Sequence, residues 1–329
     1  MHKQGGVGIS GSVTINDLHN DKTLAYIADG VTVTAGGTLT LAATASLLGI
    51  TIAGVSSNAK ANPKDKASGD GSALAGGFAW DDLGEDASGN EREVEAYTDD
   101  VTLHAQDVNV SASDKAQLFT FALGGALAGT NGKVALIGSV GLDQLDLYTL
   151  AALLDGTTLT PGGGITPDTL SINATSTLLL VSAAGGAAYT GQYGIGAGAD
   201  VGIIHDTVLA QIGANDKIVT TGNVTLAASA DETVISVAAE LAIARKNMGV
   251  AGAGAVVFLD PTVQASIGAG ATVTTGGSLL LDATDSAKLI VVGGMGAFGK
   301  NLGIGASVGY GQVDASVLAF IAGGATIVA

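Results

Sequence analysis

The chain has 329 residues, 51 of them glycine, with 47% hydrophobic and only 4% aromatic residues, no cysteine and a formal net charge of −17. The missing cysteines exclude disulfides and thiolate metal sites. The charge argues against nucleic acid, whose phosphates would be repelled, and against charge-driven adhesion to anionic membranes.

Read from the N-terminus, residues 1–10 show no positive region followed by an apolar core and a cleavage site, so they do not read as a secretion signal. From Gly6 a glycine-rich strand leads to a polar corner at Asn20. Period-2 alternation in Val31-Thr-Val-Thr34 then predicts a half-buried strand, and Leu39-Thr-Leu-Ala-Ala-Thr44 extends it. The next run, Ser56 to Ser72, is polar and rich in turn formers. Between Asp70 and Asp100 lie ten of the thirty acidic residues against the single Arg92. The run from Ser56 to Ser72 is therefore expected as a loop thrown out from the stack, within a polar, acidic insertion at residues 57–100. Trp80, Asp81, Asp82, Glu85 and Asp86 form its candidate partner-binding loop, since loops on rigid scaffolds concentrate binding residues.

Beyond this stretch the chain repeats itself. Leu39-Thr-Leu-Ala-Ala-Thr44 recurs as Val108-Asn-Val-Ser-Ala-Ser113, Leu170-Ser-Ile-Asn-Ala-Thr175, Val224-Thr-Leu-Ala-Ala-Ser229 and Leu279-Leu-Leu-Asp-Ala-Thr284, with a spacing that settles at about 54 residues. Such a period signals solenoids, propellers or arrays. The fifth copy shows four phrases clearly. A glycine-alanine strand from Gly249 to Phe258 meets a polar corner at Asp260-Pro261, followed by Thr262-Val-Gln-Ala-Ser-Ile267. A turn then opens Val273 to Thr284, and Leu289 to Phe298 closes the copy. Copies begin near Gly6, Ser72, Lys133, Tyr193, Gly249 and Leu302. Neither end carries a polar capping unit of the kind solenoids need, so a piece of a longer array is expected.

Glycine at this density disfavours helices, where each residue costs about 1 kcal/mol against alanine. The expected fold is all-β: one elongated, right-handed parallel β-solenoid over residues 1–329, of about six tandem repeats of roughly 54 residues. Strands come from each of the four phrases, with Gly-Gly turns at the corners. The glycine-alanine phrases should line a narrow part of the interior, where small residues let backbones approach closely. Gly252 and Gly254 are expected at such approaches.

Few residues form chemical constellations. Gly6-Val-Gly-Ile-Ser-Gly11 matches a dinucleotide fingerprint as a string but lacks the preceding strand, following helix and later acid that the motif needs. His2, His19, His104 and His205 do not converge in spacing as zinc ligands would. The carboxylates Asp81, Asp82, Glu85 and Asp86 lack the basic or aromatic surface of a sugar site, so no enzyme activity is expected. The polar corners hold Asn20, Asp146, Asp260 and Asp314, with His205-Asp206 one residue out of step. Asp146, Asp206, Asp260 and Asp314 are weak Ca²⁺ candidates, because hard cations want several oxygens; no other cofactor is expected. Thr32, Thr34, Thr38 and Thr40 suggest an ice-binding ladder that the other copies break. The uncharged stretch from Thr169 to Ala199 is long enough to span a membrane, yet it reads as buried strands joined by turns. A membrane barrel would need aromatic girdles, so membrane insertion is not expected.

The recurring order of a Gly-Val-Gly-Ala-Gly-type strand, a polar corner, a Thr-Val-x-Ala-x-Ile phrase and Val-Thr-Thr-Gly-Gly-x-Leu-x-Leu-x-Ala-Thr resembles the strand repeats of large bacterial filamentous adhesins. These are the leukotoxin-type and filamentous-haemagglutinin-like exoproteins. The resemblance covers Gly6 to Ala329 with Ser57 to Asp70 outside it. It implies a structural or adhesive stalk of a very large secreted or surface-displayed protein, extracellular or at the cell surface. Its partners would be a host or neighbouring-cell surface or matrix, and neighbouring repeats of the same longer chain. A glycan- or ligand-binding passenger, or a polysaccharide-acting enzyme on a β-helix, is the alternative.

Overall fold

The computed structural model describes residues 6–19, 21–59, 71–84 and 92–329. The described residues are 82% strand and include no helix, built as long parallel strands in two sheets, consistent with a β-solenoid. In chain order the strands are β1 (Val7–His19), β2 (Lys22–Ile27), β3 (Thr32–Asn58), β4 (Ser72–Gly84), β5 (Arg92–Thr98) and β6 (Thr102–Gly129). There follow β7 (Val134–Leu153), β8 (Thr158–Leu159), β9 (Thr169–Thr190), β10 (Tyr193–Ile212), β11 (Lys217–Thr220) and β12 (Val224–Ala244). The last are β13 (Met248–Ile267), β14 (Thr272–Thr275), β15 (Leu279–Gly299), β16 (Leu302–Val313), β17 (Ser316–Ile321) and β18 (Thr326–Val328).

The first sheet has the order β1-β4-β7-β10-β13-β16, with β2, β5 and β17 continuing its shorter rungs. The second contains β3, β6, β9, β12 and β15 side by side, with β8, β11, β14 and β18 beside their turns. Register holds over whole strands: Tyr193 lies beside Val134 and Met248, and Ile212 beside Leu153 and Ile267. A strand of 20 residues such as β13 is about 66 Å long at ~3.3 Å per residue, and neighbouring strands add only ~4.8 Å each. The body is therefore wider across its strands than it is tall along the stack.

The first sheet passes into the second after β2, β5, β7, β10, β13 and β17, each time through a residue with positive φ: Gly30, Asp100, Gly156, Asn215, Gly270 and Gly324. Left-handed backbone is open to glycine and tolerated by Asp and Asn. That explains why only those residue types hold the position, and it identifies the true corner of each rung.

This places several elements differently from the sequence reading. Asp260-Pro261 is no corner: both residues lie inside β13, which runs without a break into Ile267. The first two phrases are one strand, and the glycine pair Gly276-Gly277 marks a bend between β14 and β15. The acidic stretch is not a loop apart either. Within residues 57–100, β4 pairs with β1 and β7, and β5 pairs with β2 and β7. The alternation of Ala73, Ala75 and Ala79 with Leu74, Gly76 and Phe78 suits a strand buried on one face, and the acids are carried along with it. Residues 60–70 and 85–91 lie outside the described residues.

The interior changes character along each rung. Near the positive-φ turns the core is large and aliphatic, with Val110, Leu153, Ile172, Ile212, Leu226 and Ile267 in one cluster. A second aliphatic cluster follows around Leu118, Leu145, Leu180 and Ile204. Towards the opposite turns the interior shrinks to alanine clusters such as Ala53, Ala79, Ala122 and Ala184. The wide core thus belongs to the second and third phrases.

Candidate functional site: buried carboxyls beneath an apolar face

Between these clusters two columns of polar side chains cross the interior. In the first, the carboxyls of Asp81, Asp143 and Asp200 project from β4, β7 and β10 towards the hydroxyls of Thr51, Thr120, Ser182 and Ser236 on the second sheet. Those hydroxyls are neighbours in register, and Asp81, Asp143 and Asp200 are fully buried. Ser182 and Ser236 each donate to Asp200 Oδ2 at 2.5 Å. Thr51 and Thr120 bond Asp81, and Thr120 Oγ1 also lies 2.5 Å from Asp143 Oδ1. One hydroxyl carries a single proton, so of the two carboxyls sharing Thr120 one must itself supply a proton. Asp143 is suited to that role: burial pushes its pKa well above the usual carboxylate range, and the nearby Asp200 and Asp81 add to the rise. Asp200 is raised as well, by burial. Its carboxyl leans over Gly141, where a side chain would collide with it.

The second column holds a buried ion pair and a buried acid pair. Arg92, 2% exposed, grips Asp114 through Nε at 3.0 Å and Nη2 at 2.8 Å, and also pairs with Asp21. Farther along the stack Ser176 donates to Asp206 at 2.6 Å. Burial pushes both Asp206 and Glu232 upward; the charges of Asp114 and Asp285 add to the rise at Asp206, and a hydrogen bond to Asp285 with the charges of Asp206 and Asp285 adds to it at Glu232. Closer to the narrow end Glu240 faces Gly196, and burial raises it to about 7. At the positive-φ turn Asp216 accepts the backbone N–H groups of Thr157 and Gly213 at 2.8 and 2.9 Å, and burial raises it to about 8.

The residues singled out from sequence are dispersed across this frame. Asp81 points into the first column, whereas Trp80 and Asp82 sit on either side of it in β4 on the outer face; Glu85 and Asp86 lie outside the described residues. Asp206 faces inward, while Asp146, His205 and Asp260 form an outer row in shared register. His205 Nδ1 is 2.6 Å from Asp146 Oδ1, and Nε2 is 3.7 Å from Asp260 Oδ2. Asp314 continues that row beside Leu259, and Asn20 is outside the described residues. No group of three or more His, Cys, Asp or Glu able to hold a metal occurs among the described residues. The four aspartates are thus not brought together as a Ca²⁺ site, because Asp206 has the opposite parity on its strand.

Asp143, Asp200, Glu232 and Glu240 were not found from sequence. Their signal is parity: each falls in step with the Gly, Ala and Ser positions of its phrase. The same parity sends Ile9, Val13, Leu74, Leu136, Val140 and Ile304 to the outside of the first sheet, with Ile9 72% and Val13 69% exposed. On the second sheet Ile50, Ile52 and Val292 are likewise exposed. The narrow half of each rung is therefore small within and apolar without, and on the rungs of β4, β7 and β10 its interior also holds acids. No family model, curated protein or solved structure matches this chain.

Proposed function

We propose that the chain is a structural and adhesive segment of a very large secreted or surface-displayed bacterial protein. In this reading it is a right-handed parallel β-solenoid of about six tandem repeats of roughly 54 residues, each repeat giving one coil, with the handedness usual for parallel crossovers. The observation that carries it is the unbroken register of β7, β10 and β13, in which each repeat adds one rung to a shared interior. A body of this kind supplies reach, stiffness and a repeated outer surface, with no rung reserved for chemistry. The hydroxyl-rich rows of the second sheet, such as Thr44, Ser113, Thr175, Ser229 and Thr284, offer the repeated polar surface for a host or neighbouring-cell glycan or matrix.

Two measurements test this. Beads carrying the chain should bind at least one member of a panel of glycans and matrix proteins, and Thr175→Lys should reduce that binding; flat binding across the panel overturns the adhesive part. Single-molecule stretching should show a body that resists extension and then yields in steps. Smooth extension at low force overturns the stalk.

A further inference from the structure

Parallel register lines up the outward residues of the first sheet into rows running along the stack. From the narrow turns inward, β7 contributes Leu136, Gly138, Val140 and Leu142 to four of these rows. The glycine row, continued by Gly11, Gly76 and Ala197, is the floor of an open trough of about 480 Å³. Val13, Phe78 and Val140 form the ridge along one side of it. Ile9, Leu74 and Leu136 form the ridge along the other. The band of apolar rows is flanked by opposite charges. Turn residues Lys246 and Lys300 lie just before β13 and β16, and Asp260 and Asp314 lie beyond the band on the same rungs.

We propose that this face is the docking surface for a second copy of the same chain, packed face to face about a twofold axis parallel to the stack. The apolar band covers on the order of 600–900 Å² at ~3.3 Å per residue and ~4.8 Å per strand, near the roughly 800 Å² per partner of a stable interface. The twofold that opposes Lys246 to the partner's Asp260, and Lys300 to the partner's Asp314, passes between the glycine row and the Val140 row. That axis places the Val140 ridge in the partner's trough and sets Leu136 against the partner's Leu142. Charge pairing and ridge-into-trough packing thus demand the same axis, and the contact is self-complementary, as a twofold interface requires. The apolar rows of the second sheet lack this match, because the row bordering them reads Ser46, Lys115, Thr177, Asp231 and Ser286. The inference rests on this surface alone and is independent of any adhesive role.

Sedimentation equilibrium of the full chain over a concentration series tests it. A monomer–dimer equilibrium is expected, and Val140→Lys should weaken it by roughly 30-fold or more, as for a central hot spot. Gly138→Gln gives a second reading: a Cβ at Gly138 meets nothing within 4 Å in its own chain, so the variant folds yet blocks the trough. Val181→Lys, on the outer face of the second sheet, should leave the dimer unchanged. Asp260→Lys and Lys246→Asp should each weaken association, and the double variant should restore it. In this cysteine-free chain, Leu136→Cys with Leu142→Cys should give an intermolecular disulfide. Monomer at every concentration, a dimer indifferent to both trough variants, or a charge swap without rescue overturns the proposal. So does a monomer that floats with phosphatidylglycerol vesicles, which would make lipid the occupant.

Discussion

The wide half of each rung, near the positive-φ turns, and the narrow half, near residues 245–247 and 299–301, are made by the same strands yet distribute their residues in opposite ways. In the wide half Leu226, Ile172 and Val263 point inward, and Thr225, Ser171 and Thr262 lie on the outer side of the same strands. In the narrow half Gly249, Ala251 and Ala255 are inside with Glu240, and Val250, Val256 and Phe258 are outside. Strand parity is constant along β13, so the change comes from the sequence passing through Val256-Val-Phe-Leu259, where both parities are apolar. The lesson is that one hydrogen-bonded frame accepts two burial patterns, provided the sheets close in where the inner residues are small. Backbone pairing then holds the narrow half together, while aliphatic burial adds to it in the wide half.

Four substitutions would break or sharpen that contrast. The largest effect is expected in the wide half: Ile172→Ala, at a fully buried position, should cost about 2–5 kcal/mol in urea unfolding by lost transfer energy and a cavity. A loss below about 1 kcal/mol would show that the two halves do not differ in this way. Next comes Gly249→Val in the narrow half. A Cβ there would lie 2.5 Å from the Phe298 carbonyl oxygen and 3.0 Å from that of Ala242, and overpacking against backbone should cost about 1–3 kcal/mol.

The third concerns pH. Glu240 and Asp216 are raised from the ordinary carboxylate range to about 7 and about 8, and Asp143 and Asp200 are also raised. A raised folded pKa means that the folded state binds more protons than the unfolded state. Stability is then fully present below the unfolded values and is lost as pH rises through the folded ones. Urea midpoints should accordingly fall between about pH 4 and pH 8. Glu240→Gln should flatten that fall by on the order of 1 kcal/mol, since partial screening reduces the effect of one group. The smallest effect is Gly252→Val on the outer face of the narrow half, where a Cβ finds its nearest atom 3.9 Å away. A change within about 0.5 kcal/mol is expected in the same titration.

Much of the frame was legible because it repeats. The spacing of Leu39, Val108, Leu170, Val224 and Leu279 is the register of the second sheet itself, in which Val108 pairs with Leu39 and Leu170. Local cues misled where they depend on which face a residue takes. Asp260-Pro261 reads as a turn pair because proline has no N–H to donate, but the partner strands supply the rest of the ladder and the chain runs straight on. Gly252 and Gly254 look like close-approach glycines, yet they face outward and the crowded positions are Gly249 and Gly196. The acidic run near Asp81 looked solvated because charge normally seeks water. Its burial became visible only once Thr51 and Thr120, distant in sequence, were placed opposite. A carboxyl column divided among β4, β7 and β10 leaves no contiguous motif, so its chemistry appears only in three dimensions.

The shared hydroxyl of Thr120 has a consequence for how the folded chain behaves in an electric field. A carboxyl that must lend a proton to that bond carries no charge, and at neutral pH Asp216, raised to about 8, is largely protonated as well. The formal charge of −17 therefore overstates what solvent ions experience, and the folded chain should migrate more slowly towards the anode than its composition implies. Denaturation in weakly buffered neutral solution should acidify the medium, as acids confined between the sheets reach water and ionise.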